Sequence, residues 1–167
     1  MAVITKRLYL LTAMLALGWM GPGFLAHKLT IDQLLVCGAA LCLLLDAATI
    51  ELNNLARQTI VIGIAIVMFA AMLLWGVMLR TGWEHVGASV VVVVLPTLLC
   101  LSQQLARPVL IVGSAVLSAH FGLRYFQSAY DASQLKVPEV IVLMLLMVIS
   151  VLTLVVALGS NPEQEYN

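Results

Sequence analysis

Six stretches of this chain run without a charged residue, and their lengths set what it can fold into. They extend over Leu8–His27, Gln33–Leu45, Gln58–Leu79, His85–Ala106, Pro108–Leu123 and Val140–Pro162. A helix needs roughly 20 mostly apolar residues to cross about 30 Å of hydrocarbon. Four intervals reach that length outright. The second reaches it if Asp46 is admitted, and the fifth if it continues through Arg124 toward the headgroups. The expectation is an all-α, polytopic membrane bundle of six helices, at 8–26, 34–50, 59–79, 86–102, 108–126 and 137–158. Residues 159–167 form a polar, acidic tail. The uniform apolar runs lack the alternation that a membrane β-barrel requires.

Composition closes off the other classes. The chain of 167 residues is 63% hydrophobic and 10% charged, with a mean hydropathy of +1.10. Eight basic side chains balance eight acidic ones. Binding nucleic acid through a basic surface is therefore excluded, and so is disorder. Lys6-Arg7 before an apolar run resembles a signal peptide. The run is long for one, however, and Phe24 stands where a small residue would precede cleavage after Ala26, so the first helix is expected to be retained.

One internal pattern rises above composition. Residues 53–65 read NNLARQTIVIGIA and residues 103–115 read QQLARPVLIVGSA, so Leu55, Ala56, Arg57, Gly63 and Ala65 recur fifty residues later. Arg7 falls in register with Arg57 and Arg107. A repeat of this length implies three tandem helical hairpins, with the three arginines on one membrane face. Gly63 and Gly113 are expected at helix contacts. Ser118 and Gly122 extend a small-residue stripe along the fifth helix, which is therefore expected at the bundle centre. The basic residues divide evenly, Lys6, Arg7, Arg57 and Arg107 on one face against Lys28, Arg80, Arg124 and Lys136 on the other. That division leaves orientation open.

The Arg57/Gly63 and Arg107/Gly113 repeats, set in six short spans, resemble the HdeD-like small membrane proteins, which are associated with acid resistance in bacteria. The resemblance implies a bacterial inner-membrane protein built from hairpin repeats. It transfers no functional residues, and the regular proline of that family's turns is missing.

Few residues point to chemistry. Cys37 and Cys42 lie five apart and do not share a helical face, no C-x-x-C is present, and packing is the expected role of all three cysteines. His27 and His85 are too shallow to meet His120 across a haem, and neither cofactor nor metal is expected. Phosphate-loop and hydrolase motifs are missing, and the serines are expected to bond back along their own helices.

Asp46 is different, because a carboxylate within a span is costly. At its depth the expected neighbours are Thr12, Thr97, Ser114 and Thr153, with a carbonyl at Val92 freed by Pro96. Together they would make a small ligand or proton site. The competing reading continues the second helix through Asp46, Thr49, Asn53 and Arg57 on one face, so that the carboxylate reaches the interface. His120 and Arg124, four apart, form a secondary polar pair. The functional expectation is a non-catalytic membrane protein, either serving stress tolerance or packed against other membrane subunits or copies of itself. A small proton-coupled transporter or channel using Asp46 is the alternative, and a cofactor-binding redox subunit a third.

Overall fold

In the computed structural model, which describes residues 2–25, 30–49, 52–78, 83–130 and 137–159, every regular element is helical. The elements are α1 (Ala2–Leu25), α2 (Ile31–Thr49), α3 (Asn54–Met78), α4 (Trp83–Ser89), a π-helical turn (Val90–Val94), α5 (Leu95–Leu99), α6 (Gln103–Tyr130) and α7 (Val137–Gly159). The tail beyond Gly159 lies outside the described residues.

The helix boundaries follow local chemistry. Thr30 and Gln33 form the reciprocal half of a capping box, the Thr30 amide donating to Gln33 Oε1 at 3.1 Å, and α2 begins there. The chain then turns, with the Leu52 amide donating to the Thr49 carbonyl. Asn53 caps α3 by accepting from the Ala56 amide at 2.9 Å. This turn corrects the expectation of one helix running on from Asp46 to Arg57. Most helices extend past the expected apolar limits, because polar first and last turns stay helical beyond the hydrocarbon stretch.

The segment expected as a single helix over 86–102 is α4, the π-helical turn and α5, and it stops at Leu99. Pro96 has no N–H for the Val92 carbonyl, and its ring crowds that carbonyl; a widened turn directly upstream accommodates both effects. Among the described residues, four helical stretches are long and apolar enough to cross a membrane: Ile31–Thr49, Asn54–Leu74, Leu105–Tyr130 and Val137–Gly159. Six were expected. The apolar part of the fourth rod, Val86–Leu99, is shorter; at 1.5 Å per residue it spans only about 21 Å.

Side-chain pairs fix the relative directions. Arg57 near the start of α3 meets Asp46 near the end of α2, and Arg107 near the start of α6 donates to the Leu158 carbonyl near the end of α7. Thr12 in α1 meets Thr153 in α7, while Asp32 at the start of α2 meets Arg124 toward the end of α6. The starts of α1, α3 and α6 and the ends of α2 and α7 therefore share one end of the bundle, and Arg57 and Arg107 lie together there.

The core is built by α1, α2, α6 and α7, with Tyr9, Met20, Leu43, Leu117, Phe121 and Leu143 at its heart. The most central helix is α2, which contacts α1 and α6 and also carries the fourth rod on another flank. Of its span 61% is buried, against 28% for α6, so the fifth helix is not the centre. The reason is the α2 sequence: Gly38, Ala39, Ala40, Cys42 and Ala47 let neighbours approach from several sides. At the edge, α3 packs on the fourth rod and is only 22% buried.

Candidate functional site

Asp46 is buried, at 6% exposure, beneath the turn that joins α2 to α3. Arg57, on the first turns of α3 and 4% exposed, returns across that turn, and its Nη2 donates to Asp46 Oδ1 at 3.2 Å. The attraction between a carboxylate and a guanidinium withdrawn from water together offsets part of the cost of burying them. The sequence had placed both residues at one end of the bundle. It did not show that the junction between α2 and α3 would fold one onto the other. Arg57 Nε is buried with no partner among the described residues, as is Arg107 Nε.

The hydroxyls expected around Asp46 are spent elsewhere. Thr97 donates to the Val93 carbonyl at 2.7 Å and Ser114 to the Leu110 carbonyl at 2.7 Å. Thr12 and Thr153 lie 2.7 Å apart, oxygen to oxygen, joining α1 to α7. All four side chains are buried, as expected, but their recorded bonds do not gather them on the carboxylate.

A thiol pair stands beside the ion pair instead. Cys42 lies one helical turn before Asp46 on α2, and Cys100 terminates α5. Their thiols lie near one another and near Asp46. Both residues are 1% exposed. Comparing cysteines along one helix missed this pairing, since the partners come from different helices and only the folded fourth rod brings them together.

An apolar cleft of about 360 Å³ runs up to this cluster between α2, the fourth rod and α6, lined by Ala39, Cys42, Pro96, Leu99, Val109 and Gly113 among others. Gly113 forms part of its wall because its backbone sits against Ala39, where an added Cβ would lie 3.6 Å from the alanine methyl. Gly63, its repeat counterpart, is exposed, and an added Cβ would meet nothing within 4 Å. The close helix approach expected at Gly63 is therefore absent, because α3 lies at the bundle edge. It occurs at Gly38, whose missing Cβ admits the Val92 carbonyl. Farther along α6, Ser118 donates to the Ser114 carbonyl at 2.8 Å, and Gly122 faces Met147 of α7.

The secondary pair at the other end gains a member that the sequence did not single out. Arg124 Nη2 donates to Asp32 Oδ2 at 3.1 Å, and His120 Nδ1 lies 3.8 Å from the same oxygen. Asp32 and Arg124 are each nearly half exposed, the behaviour of an ion pair at a bundle surface. Among the described residues, no group of three or more His, Cys, Asp or Glu side chains is arranged to hold a metal ion.

Comparison with models of protein families, with curated proteins and with solved structures gives no match for this chain.

Proposed function

We propose that this chain is a non-catalytic, multi-pass integral membrane protein that acts by packing within the bilayer, as a subunit alongside other membrane chains or further copies of itself. The observation that carries this reading is a surface of large apolar side chains around a bundle that encloses charged and hydroxyl groups beside its apolar core. Ile66, Val67, Leu74, Val112, Leu123 and Leu145 stand at the surface, while Asp46, Arg57, Thr12, Ser114 and Thr153 are enclosed. Apolar atoms outside and paired polar atoms inside suit a bundle whose solvent is hydrocarbon.

The reading includes six crossings as three tandem hairpins, with α1 and the fourth rod as the two weakest spans. A bacterial inner membrane is its setting, and acid or other stress tolerance, which the HdeD-like resemblance implies, its physiological context. The edge position of α3 supports a subunit role, since an apolar helix packed on one side leaves the other for lipid or protein. Extraction of native membranes tests the first half: the chain stays in the pellet under alkaline carbonate and dissolves only in detergent. Native mass spectrometry of the detergent-extracted protein tests the second, with a defined assembly expected. Release by carbonate, or a solitary chain with unaltered cell survival on its deletion, would overturn the proposal.

The transporter reading draws on the burial of Asp46. Its pairing with Arg57 weighs against it, because the carboxylate is already engaged in an ion pair that ties α2 to α3.

A further inference from the structure

We propose that Asp32 exchanges partners with pH: Arg124 holds it while His120 is neutral, and a protonated His120 takes it over and sets Arg124 free.

The geometry is a three-way junction on one oxygen. Arg124 Nη2 donates to Asp32 Oδ2 at 3.1 Å, and His120 Nδ1 stands 3.8 Å from that same atom. The two basic side chains sit one turn apart on α6 and meet the first turn of α2. With His120 neutral, the junction holds one cation and one carboxylate. A proton on the imidazole makes two cations compete for one oxygen, and like charges this close repel. Histidine is the side chain whose ordinary titration falls near neutral pH, at about 6.5.

Burial and freedom of movement decide which cation yields. The His120 side chain is 10% exposed, and its ring rests edge-on against Phe121 with the centroids 5.4 Å apart. Arg124 is 46% exposed and sits on a long, flexible stem. The enclosed imidazolium has little water to turn to, and its attraction to Asp32 is less screened than that of the guanidinium. Arg124 can swing out to water or headgroups and regains side-chain entropy on doing so. The elements packed against α6 bring few other ionisable groups to this end. Among the described residues, α7 carries only Glu139, which is exposed, α5 carries none, and α2 adds Cys37 more than a turn beyond Asp32. On α6 itself the others nearby are Tyr125 and Tyr130. Falling pH thus passes the link between α2 and α6 from a surface arginine to an enclosed histidine, and leaves a free guanidinium at that end of the bundle.

The test uses the purified full chain in lipid nanodiscs with Arg124→Lys, which keeps the cation and offers an amine that a water-soluble carbodiimide can join to the half-exposed Asp32. Cross-linked peptides are quantified by mass spectrometry at about pH 7.5 and about pH 5.5, one unit either side of the ordinary histidine value. The same ratio is measured in Arg124→Lys/His120→Gln, so that the pH dependence of the reagent cancels. The yield at the lower pH, relative to the higher, is expected to be several-fold smaller with His120 present than with glutamine in its place. No cross-link at the higher pH, or equal ratios in the two proteins, would overturn the proposal. A second measurement keeps Arg124 itself. Asp32→Asn and Arg124→Gln are expected to be non-additive in thermal unfolding at the higher pH and additive at the lower, and to stay non-additive at both in a His120→Gln background. Coupling that survives the lower pH with His120 in place would overturn the exchange.

Discussion

Arg57 reaches back over the turn between α2 and α3 and donates from Nη2 to Asp46 Oδ1 at 3.2 Å, with both side chains enclosed by the bundle. The turn that permits this is set by the end of α2 at Thr49 and the Asn53 cap of α3. Removing one member leaves the other buried without its counter-charge. Asp46→Asn and Arg57→Gln are each expected to cost about 3–5 kcal/mol, and the double variant clearly less than the sum of the two. Thermal unfolding of the four proteins in one detergent measures the coupling.

Gly38 and Gly63 are expected to respond oppositely to the same substitution. A Cβ at Gly38 would overlap the Val92 carbonyl of the fourth rod, and backbone cannot swing aside as a flexible side chain can. Gly38→Ala is expected to destabilise by about 1–3 kcal/mol, as overpacking does. Gly63 faces open space. Gly63→Ala is expected to be neutral or to stabilise by up to about 1 kcal/mol through helix propensity alone. Parallel melting curves decide it.

Much of this architecture was legible in the sequence, and the exceptions share a cause. The helical rods could be placed because apolar runs and polar punctuation are local properties. Asp46 could be read two ways, as a buried carboxylate or as one reaching the interface, and its burial together with Thr12, Ser114 and Thr153 decides for the first. What could not be read was which side chains meet. Asp46 with Arg57, Cys42 with Cys100 and Asp32 with Arg124 all depend on how helices are turned about their axes and on a turn conformation. The equivalence of Gly63 and Gly113 failed for the same reason. A repeated sequence gives a repeated helix, but one copy is flanked by α2 and the other stands at the edge.

Thr12 and Thr153 tie α1 to α7 by a buried hydroxyl contact of 2.7 Å. Each hydroxyl also bonds its own helix, Thr12 to the Leu8 carbonyl and Thr153 to the Ile149 carbonyl, so losing the partner does not leave either one stranded. Thr12→Val and Thr153→Val are expected to cost about 0.6 kcal/mol each and at most about 1.7 kcal/mol. The double variant should resemble either single one. A double-mutant cycle on detergent unfolding reads the coupling directly.

At the other end, the half-exposed Asp32–Arg124 pair is expected to matter little. Asp32→Asn should change stability by about 0–1 kcal/mol, with the difference disappearing in high salt as screening takes over. The contrast with Asp46→Asn in the same salt series separates surface from buried pairing.

Sidedness tests the account at its root. In a cysteine-free background, single cysteines are introduced as Asn53→Cys, Ser102→Cys, Thr30→Cys and Tyr130→Cys, and sealed vesicles are treated with a membrane-impermeant maleimide. The bundle places residues 53 and 102 at the end that holds Arg57 and Arg107, and residues 30 and 130 at the opposite end with Asp32 and Arg124. The expected result is labelling of the first two from one side of the membrane and of the last two from the other. Labelling of Asn53→Cys and Ser102→Cys from opposite sides, or of all four from a single side, would contradict it.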